Sequence, residues 1–369
     1  TDYATTKQIT HTPAAEQGLS FSPDNRTLAY STERNGNWEL VLAKIERKDD
    51  PNFPNATLIK EEILLPSDKI ERSYPSFSPD GKELAFIQDR RKLMVVNLDT
   101  KKVRQITDGT YWPSTGGGFE YQWSPDSKWF TLSFTGNKHD PYYDIGIVSA
   151  QGGEITNLTN SGYSSGSPAW TMDGNAILFT SERYGMRNHA SWGSMEDVFL
   201  CFVNQDAYDK YRLSKEDYEL LKEVEKEQEK LKKDAKKTDD KKDAKKDEKK
   251  DAVKDIVMEF DGIQDRIVRL TPNSSSLGSA IIDKKGETLY YTASFEKGMD
   301  LWKLDLRKKE VKLANKGVGY ASFEMSKDGK NIFLLGGRMQ KMDAASGKLT
   351  PLSYTANLEM DLAAEREAM

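Results

Sequence analysis

The chain is poor in the residues that build metal centres and covalent staples. Of its 369 residues only Cys201 is a cysteine, and the three histidines, His11, His139 and His189, lie far apart. One thiol excludes an internal disulfide and a multi-thiolate zinc site, and scattered imidazoles argue against a His-rich centre, so neither a metal nor a cofactor is expected. Cys201 falls in the apolar run Val198-Phe199-Leu200-Cys201-Phe202-Val203, where a buried, inert thiol is expected. No apolar stretch approaches the roughly 20 residues that span a bilayer, and no signal-peptide pattern is seen. Charge bias is missing too: 59 acidic against 54 basic residues leave a net charge of −5, which offers nothing to a nucleic acid.

What the chain has instead is a repeated turn. Ser78-Pro79-Asp80-Gly81 precedes Leu84-Ala85-Phe86, and close copies stand at Ser22-Pro23-Asp24-Asn25, Ser124-Pro125-Asp126-Ser127 and Met172-Asp173-Gly174. Two looser copies are Lys284-Lys285-Gly286 and Ser326-Lys327-Asp328-Gly329. The fourth position of the motif falls at 25, 81, 127, 174, 286 and 329, so the spacings are 56, 46, 47, 112 and 43. Each copy follows a short apolar run and leads into a second one. An alternating strand such as Leu93-Met94-Val95-Val96-Asn97-Leu98 comes next, and a closing phrase such as Lys102-Val103-Arg104-Gln105-Ile106-Thr107 ends the repeat. Four strands in roughly 40 to 50 residues is the size of one propeller blade. A lone sheet of this kind cannot bury both faces, whereas blades stacked radially can. Phe21, Phe77, Trp123 and Trp170, beside the turns, are expected to fill the spaces between blades.

The expected fold is therefore all-β, a β-propeller with six complete four-stranded blades. Thr5-Thr6-Lys7-Gln8-Ile9-Thr10 resembles the closing phrases, so a truncated seventh blade is expected ahead of the first turn. The one long spacing locates an insertion, and the chain divides into propeller blades at 1–203, a charged helical and disordered insertion at 204–257, further blades at 258–355, and the start of a connection at 356–369. Within the insertion Ser214 and Asp217 form a capping-box pattern ahead of helix formers that run to about Lys233, with a thin apolar stripe of Leu220, Leu221, Val224 and Leu231. From Lys232 to Asp251, seventeen of twenty residues are Lys, Asp or Glu, a composition expected to form a mobile excursion.

Local chemistry is sparse. Ser191 and Ser194 near His189 are the nearest approach to a nucleophilic cluster, yet they sit in no nucleophile-elbow pattern and loop polarity accounts for them. The turn aspartates Asp24, Asp80, Asp126, Asp173 and Asp328 lack Asp-x-Asp spacing, and hairpin formation explains them better than calcium. Gly116-Gly117-Gly118 has neither a strand-to-helix context nor a P-loop lysine. Catalytic residues are therefore not expected within the chain. Arg90 and Arg91 could hold a peptide carboxylate by bidentate hydrogen bonds, with a solvated hairpin turn as the alternative. Arg183, Tyr184, Arg187, His189 and Trp192 mix cations and aromatics in the manner of a peptide-contacting or interdomain rim.

Three stretches carry a family resemblance. The turns resemble WD40-like propeller repeats, which fix fold better than function. Met258-Glu259-Phe260-Asp261-Gly262-Ile263-Gln264-Asp265-Arg266-Ile267-Val268-Arg269-Leu270 resembles the segment that re-enters the propeller in tricorn-type proteases. Ser181 to Ser194 and the exit at Tyr354-Thr355-Ala356-Asn357-Leu358-Glu359-Met360-Asp361-Leu362 resemble the same family. The resemblance implies the second, seven-bladed propeller of a multidomain serine peptidase of the carboxyl-terminal-processing kind, with the long Lys/Asp-rich insertion suggesting a bacterial member. It further implies peptides or unfolded protein as substrates, PDZ-like and catalytic domains downstream in the same polypeptide, and a homo-oligomer of the full-length protein. Thr1 in place of Met, and a stop at Glu365-Arg366-Glu367-Ala368-Met369 in what reads as the start of a helix, lead us to expect a fragment, with the bacterial periplasm favoured over the cytoplasm. The competing readings are the propeller of a prolyl-oligopeptidase-type peptidase and a stand-alone envelope scaffold that binds proteins.

Overall fold

In the computed structural model, which describes residues 6–110, 120–136, 142–187, 193–239, 254–295 and 297–355, the turn motifs join neighbouring antiparallel strands. The residue at the fourth motif position is left-handed in all six copies: Asn25 (φ 58°), Gly81 (75°), Ser127 (61°), Gly174 (89°), Gly286 (70°) and Gly329 (69°). Ahead of it a serine and an aspartate lock the reversal. Ser78 Oγ donates to Asp80 Oδ1 at 2.6 Å, that carboxylate accepts from Lys82 N, and Ser78 Oγ accepts from Glu83 N at 3.0 Å. The same bonds recur at Ser22/Asp24, Ser124/Asp126 and Ser326/Asp328. The aspartates are thus turn-forming groups, and the serine hydroxyl holds Asp24 and Asp328 below the usual carboxylate range.

Among the described residues twenty-four strands form six four-stranded sheets, each made of four strands consecutive in sequence. The inner strands are Glu16–Phe21, Arg72–Phe77, Tyr121–Trp123, Ser165–Thr171, Ser276–Ile282 and Ala321–Met325. Five apolar cores lie between successive blades. Ala29, Leu40 and Leu42 meet Leu84 and Phe86; Ile87 and Val95 meet Phe130 and Leu132; Ile145 and Ile147 meet Ile177 and Phe179. Leu178 and Leu200 then meet Leu289 and Tyr291, and Tyr290 and Leu301 meet Ile332 and Leu334. Cys201 is fully buried in the third of these cores, where burial pushes its thiol up to about 12.

The joint between the sixth and first blades is different, because no apolar cluster among the described residues spans it. The face of the first blade that looks that way, with Tyr30, Val41 and Ile45, is covered by Phe53 and Ala56 of the blade's own loop and by Ile9. Phe21, expected between blades, is therefore 52% exposed and meets only the edge of Phe53 at 5.5 Å between centroids, whereas Phe77 and Trp123 are buried as expected. Polar contacts close the circle: Lys327 Nζ donates to Pro23 O at 2.5 Å and Thr6 Oγ1 to Thr355 O at 2.6 Å. The turns also touch one another all the way round. Asp80 N donates to Ser127 Oγ at 3.2 Å, Lys284 Nζ donates to Lys327 O at 3.0 Å, and a Cβ on Gly81 would meet Pro23 Cδ at 3.4 Å.

The blade count is six, which corrects the seven-bladed expectation. Residues 6–15 form no strand, and the described residues hold no truncated seventh blade. The sixth blade completes its four strands from its own sequence, Ala321 to Pro351, and Ile9 of the leading segment packs on the first blade instead.

The insertion leaves the fourth blade on the side of the turn ring. It begins with a helix not anticipated from sequence, α1 (Gln205–Arg212), capped by Asn204, whose side chain accepts from Ala207 N at 2.9 Å. The expected helix follows as α2 (Lys215–Asp239), with Asp217 N donating to Ser214 Oγ at 3.1 Å and Ser214 Oγ donating to Asp217 Oδ2 at 2.8 Å. Of its apolar positions only Tyr218 is buried, while Leu220, Val224 and Leu231 are exposed. Residues 240–253 of the charged tract lie outside the described residues.

Candidate functional site

Among the described residues every inner strand has a ladder partner on one side only, so six strand edges surround the axis of the ring. Unpaired edges invite another extended chain, and the sequence manages four of them in the same way. The inner strands of the first, second, fourth and fifth blades each break register with the next strand at a bulge: Gln17/Ser20, Ser73/Ser76, Gly166/Ala169 and Leu277/Ala280. Gly18, Tyr74 and Ser167 occupy three of these bulges with φ of 65°, 52° and 52°. Pro75 and Pro168 follow two of them, where a missing N–H costs nothing because the edge is free.

Two adjoining cavities make up the tunnel. One, of 450 Å³, lies against Gly18, Leu19, Tyr74, Pro75 and Ser76. The other, of 290 Å³, lies against Ser167, Pro168, Gly278, Ser279, Ser322 and Phe323. Glu120 and Tyr121 line both. The wall is held by bonds from one blade to the next: Tyr121 Oη donates to Tyr74 O at 2.6 Å, Trp123 Nε1 to Ser76 O at 3.1 Å, and Trp170 N to Gln122 Oε1 at 2.7 Å. Ser167 N donates to Glu120 Oε2 at 3.0 Å. Burial holds the Tyr121 phenol far above its ordinary value, so it remains a neutral donor. Further out, Glu196 is pushed upward, by burial first and then by Glu182, Asp197 and Glu120. The two cavities present aromatic rings and backbone groups beside the axis.

Of the residues singled out from sequence, Arg90, Arg91, Arg183 and Arg187 lie in loops on the face away from the turn ring. Asp89 and Arg90 form a tight turn with φ of 50° and 63°, and Arg90 Nε donates to Glu71 Oε2 at 3.2 Å. The Arg91 stem packs beside Gly109. Two blades on, Arg183 lies 5.7 Å from the Tyr184 ring centroid and Arg187 lies 4.4 Å from that of Tyr163. His189 and Trp192 lie outside the described residues, as do Gly116, Gly117 and Gly118. The tunnel-lining residues were missed, although a proline inside an apolar run, as at Pro75 and Pro168, is a readable mark of an edge strand.

A second cavity of 450 Å³ separates the insertion from the fourth and fifth blades. Its floor is Arg307, whose Nη1 donates to the carbonyl oxygens of Lys210 (3.1 Å) and Tyr211 (2.7 Å) and whose guanidinium stacks 3.7 Å from the Tyr218 centroid.

No family model matches the chain. Curated relatives align over parts of it. These are the uncharacterized peptidase YuxL of Bacillus subtilis, 29% identical over 116 residues, and a putative tricorn-like protease C-terminal subunit of Sulfurisphaera tokodaii, 26% identical over 107 residues. Tricorn protease homolog 1 of Streptomyces coelicolor is 23% identical over 181 residues, 47% of this chain. The first two alignments each cover 29% of the chain. Among solved structures, the tricorn protease superposes over 95% of this chain with a TM-score of 0.60 at 11% identity. The fold is shared with the tricorn protease. The chain spans 32% of that enzyme and 12 to 16% of the length of the curated relatives. The same fold appears in an oligogalacturonate lyase from Vibrio parahaemolyticus (TM-score 0.55, 11% identity, 90% of this chain and 76% of that one). It appears again in the Pyrococcus horikoshii acylaminoacyl peptidase (TM-score 0.51, 13% identity, 95% of this chain and 48% of that one). Among the described residues no helix is long and apolar enough to cross a membrane.

Proposed function

We propose that this chain is the propeller of a larger peptidase, and that its tunnel receives extended peptides and passes them to catalytic domains of the same polypeptide. The tunnel itself carries the reading: an axial passage walled by strand edges, bulged so that a peptide can slide without being captured as a further strand. The fold alone favours no activity, since a lyase shares it. The sequence relatives tip the choice, because all three are named as peptidases or proteases. Arg90, Arg91, Arg183 and Arg187, with His189 and Trp192, would then act at the mouth as contacts for arriving peptides or for neighbouring domains. The insertion, 204–257, would form a separate appendage on the opposite face.

The test is binding without cleavage. The 369-residue chain should bind unstructured peptides, should not bind a folded protein of equal charge, and should leave the peptides intact, whereas the full-length protein should cut them. Replacing Ser322 with Trp narrows the tunnel and should weaken binding at least threefold. Robust turnover by the chain alone, or binding indifferent to the tryptophan, defeats the proposal.

A further inference from the structure

The charge on the tunnel wall is of one sign. The six inner strands contain a single cation, Arg72, which is buried and forks onto Asp68 at 2.9 and 2.7 Å. Glu16, on the first inner strand, lies 3.6 Å from Arg34. One carboxylate lines the passage, Glu120, and a second, Glu324, lies on an inner strand beside it. Glu324 lies on the sixth inner strand, paired across the sheet with Phe333 and exposed. Glu120 immediately precedes the third inner strand, is exposed, and lines both cavities. Among the described residues its side chain accepts one hydrogen bond, from Ser167 N. Glu196 and Glu182 stand near the Glu120 end, whereas Asp197 is paired with Arg269 at 2.8 Å. The remaining wall is uncharged: Leu19, Tyr74, Pro75, Tyr121, Pro168 and Phe323.

We propose that the tunnel selects by charge, taking peptide segments rich in lysine or arginine over acidic ones, with Glu120 as the chief selecting group and Glu324 as a second contact. This inference rests on the reading of the tunnel as a peptide passage. A carboxylate confined between low-dielectric walls attracts a cation more strongly than the same group on an open surface, and it repels an acidic segment equally. The bond from Ser167 N holds one oxygen of Glu120 beside both cavities. Strand-edge groups would hold the peptide backbone without regard to sequence, so the side-chain preference falls to these two residues.

The experiment measures fluorescence anisotropy of three labelled, N-acetylated, unstructured peptides of equal length against the 369-residue chain. One alternates Lys with Gly and Ser, one Glu, and one Gln. At low salt the Lys peptide should bind about three- to tenfold more tightly than the Glu peptide, with the Gln peptide between them, and the difference should shrink at about 0.3 M salt. Glu120→Gln keeps an acceptor for Ser167 N and should at least halve the preference, with Glu324→Gln lowering it less. Equal binding of all three peptides, or a preference untouched in the Glu120→Gln, Glu324→Gln double variant, overturns the charge selection while leaving the passage intact. Failure of the Gln peptide to bind, together with indifference to Ser322→Trp, overturns the passage itself.

Discussion

Lys327, in the turn of the sixth blade, donates its Nζ proton to the carbonyl oxygen of Pro23 in the turn of the first, and so links the two ends of the ring. The other five junctions have apolar cores, and this one relies on polar contacts. Lys327→Ala removes an exposed bond worth about 0.5 kcal/mol, too little to unfold the chain. Its effect should instead be local. Amide exchange should quicken in Asn331–Gly336 and Thr27–Thr32 and stay unchanged in Trp129–Phe134, deep in the third blade. Uniform exchange across all three strands would contradict a polar joint.

Gly18 is required by both conformation and space. Its φ is 65°, and a Cβ there would lie 2.7 Å from Tyr74 Cα, a backbone atom of the next bulge. Gly36 has a φ of 75° with nothing within 4 Å. Gly36→Ala should therefore cost about 1 kcal/mol from backbone strain alone, and Gly18→Ala about 2–4 kcal/mol, because two bulges must also move apart. Denaturant midpoints measure both, and equal costs would show that the first two bulges do not depend on close contact.

Sequence reading reached the blades because the turn chemistry is local. A serine, an aspartate and a left-handed fourth residue form hydrogen bonds within about five positions, so four of the six copies carry the complete Ser/Asp set and all six were found. Blade number at the joint was not legible, because whether residues 6–15 add a strand depends on the sixth blade having already filled its own edge. Phe21 was misjudged for the same reason: a large ring at a repeated position is core only where a neighbour faces it. The tunnel wall is a property of six strands brought together, and nothing in Tyr74 or Glu120 taken singly marks it. Helix α1 was missed because eight residues carry little periodic signal, although Asn204 as a cap could have revealed it.

Glu196 should make stability depend on pH with a sign opposite to that of the turn aspartates. Its folded pKa is raised, by burial first and then by Glu182, Asp197 and Glu120, so the folded chain binds the proton more tightly than the unfolded one. The ionised form is therefore a cost at neutral pH, relieved as pH falls through the raised folded value. Asp24 and Asp328 are lowered, and their contribution is present above the ordinary carboxylate range and lost as pH falls through their lowered values. Glu196→Gln should raise the melting temperature by about 1–2 °C at pH 7.5, with the gain vanishing below about pH 4. A gain independent of pH would point to packing rather than charge.

Arg307 decides whether the insertion stays docked. Its guanidinium satisfies the last carbonyls of α1, stacks on Tyr218 near the start of α2, and stands beside the Lys222–Glu287 ion pair that joins α2 to the fifth blade. α2 buries only Tyr218 among its apolar positions, so docking depends on these few polar and stacking contacts. Arg307→Ala removes hydrogen bonds made by a charged group and a cation–π contact, together about 2–3 kcal/mol of local stability. Arg307→Lys keeps the charge but loses the planar fork that reaches two carbonyls at once, and should recover less than half of that amount. Limited proteolysis should cut residues 213–239 at least fivefold faster in the alanine variant, while near-ultraviolet circular dichroism from the tryptophans of the blades stays unchanged. If the blades melted together with α2, that helix would be an integral part of the ring; the exposure of Leu220, Val224 and Leu231 argues that α2 is an appendage, while α1 stays packed on the blades through Ala207, Tyr208 and Tyr211.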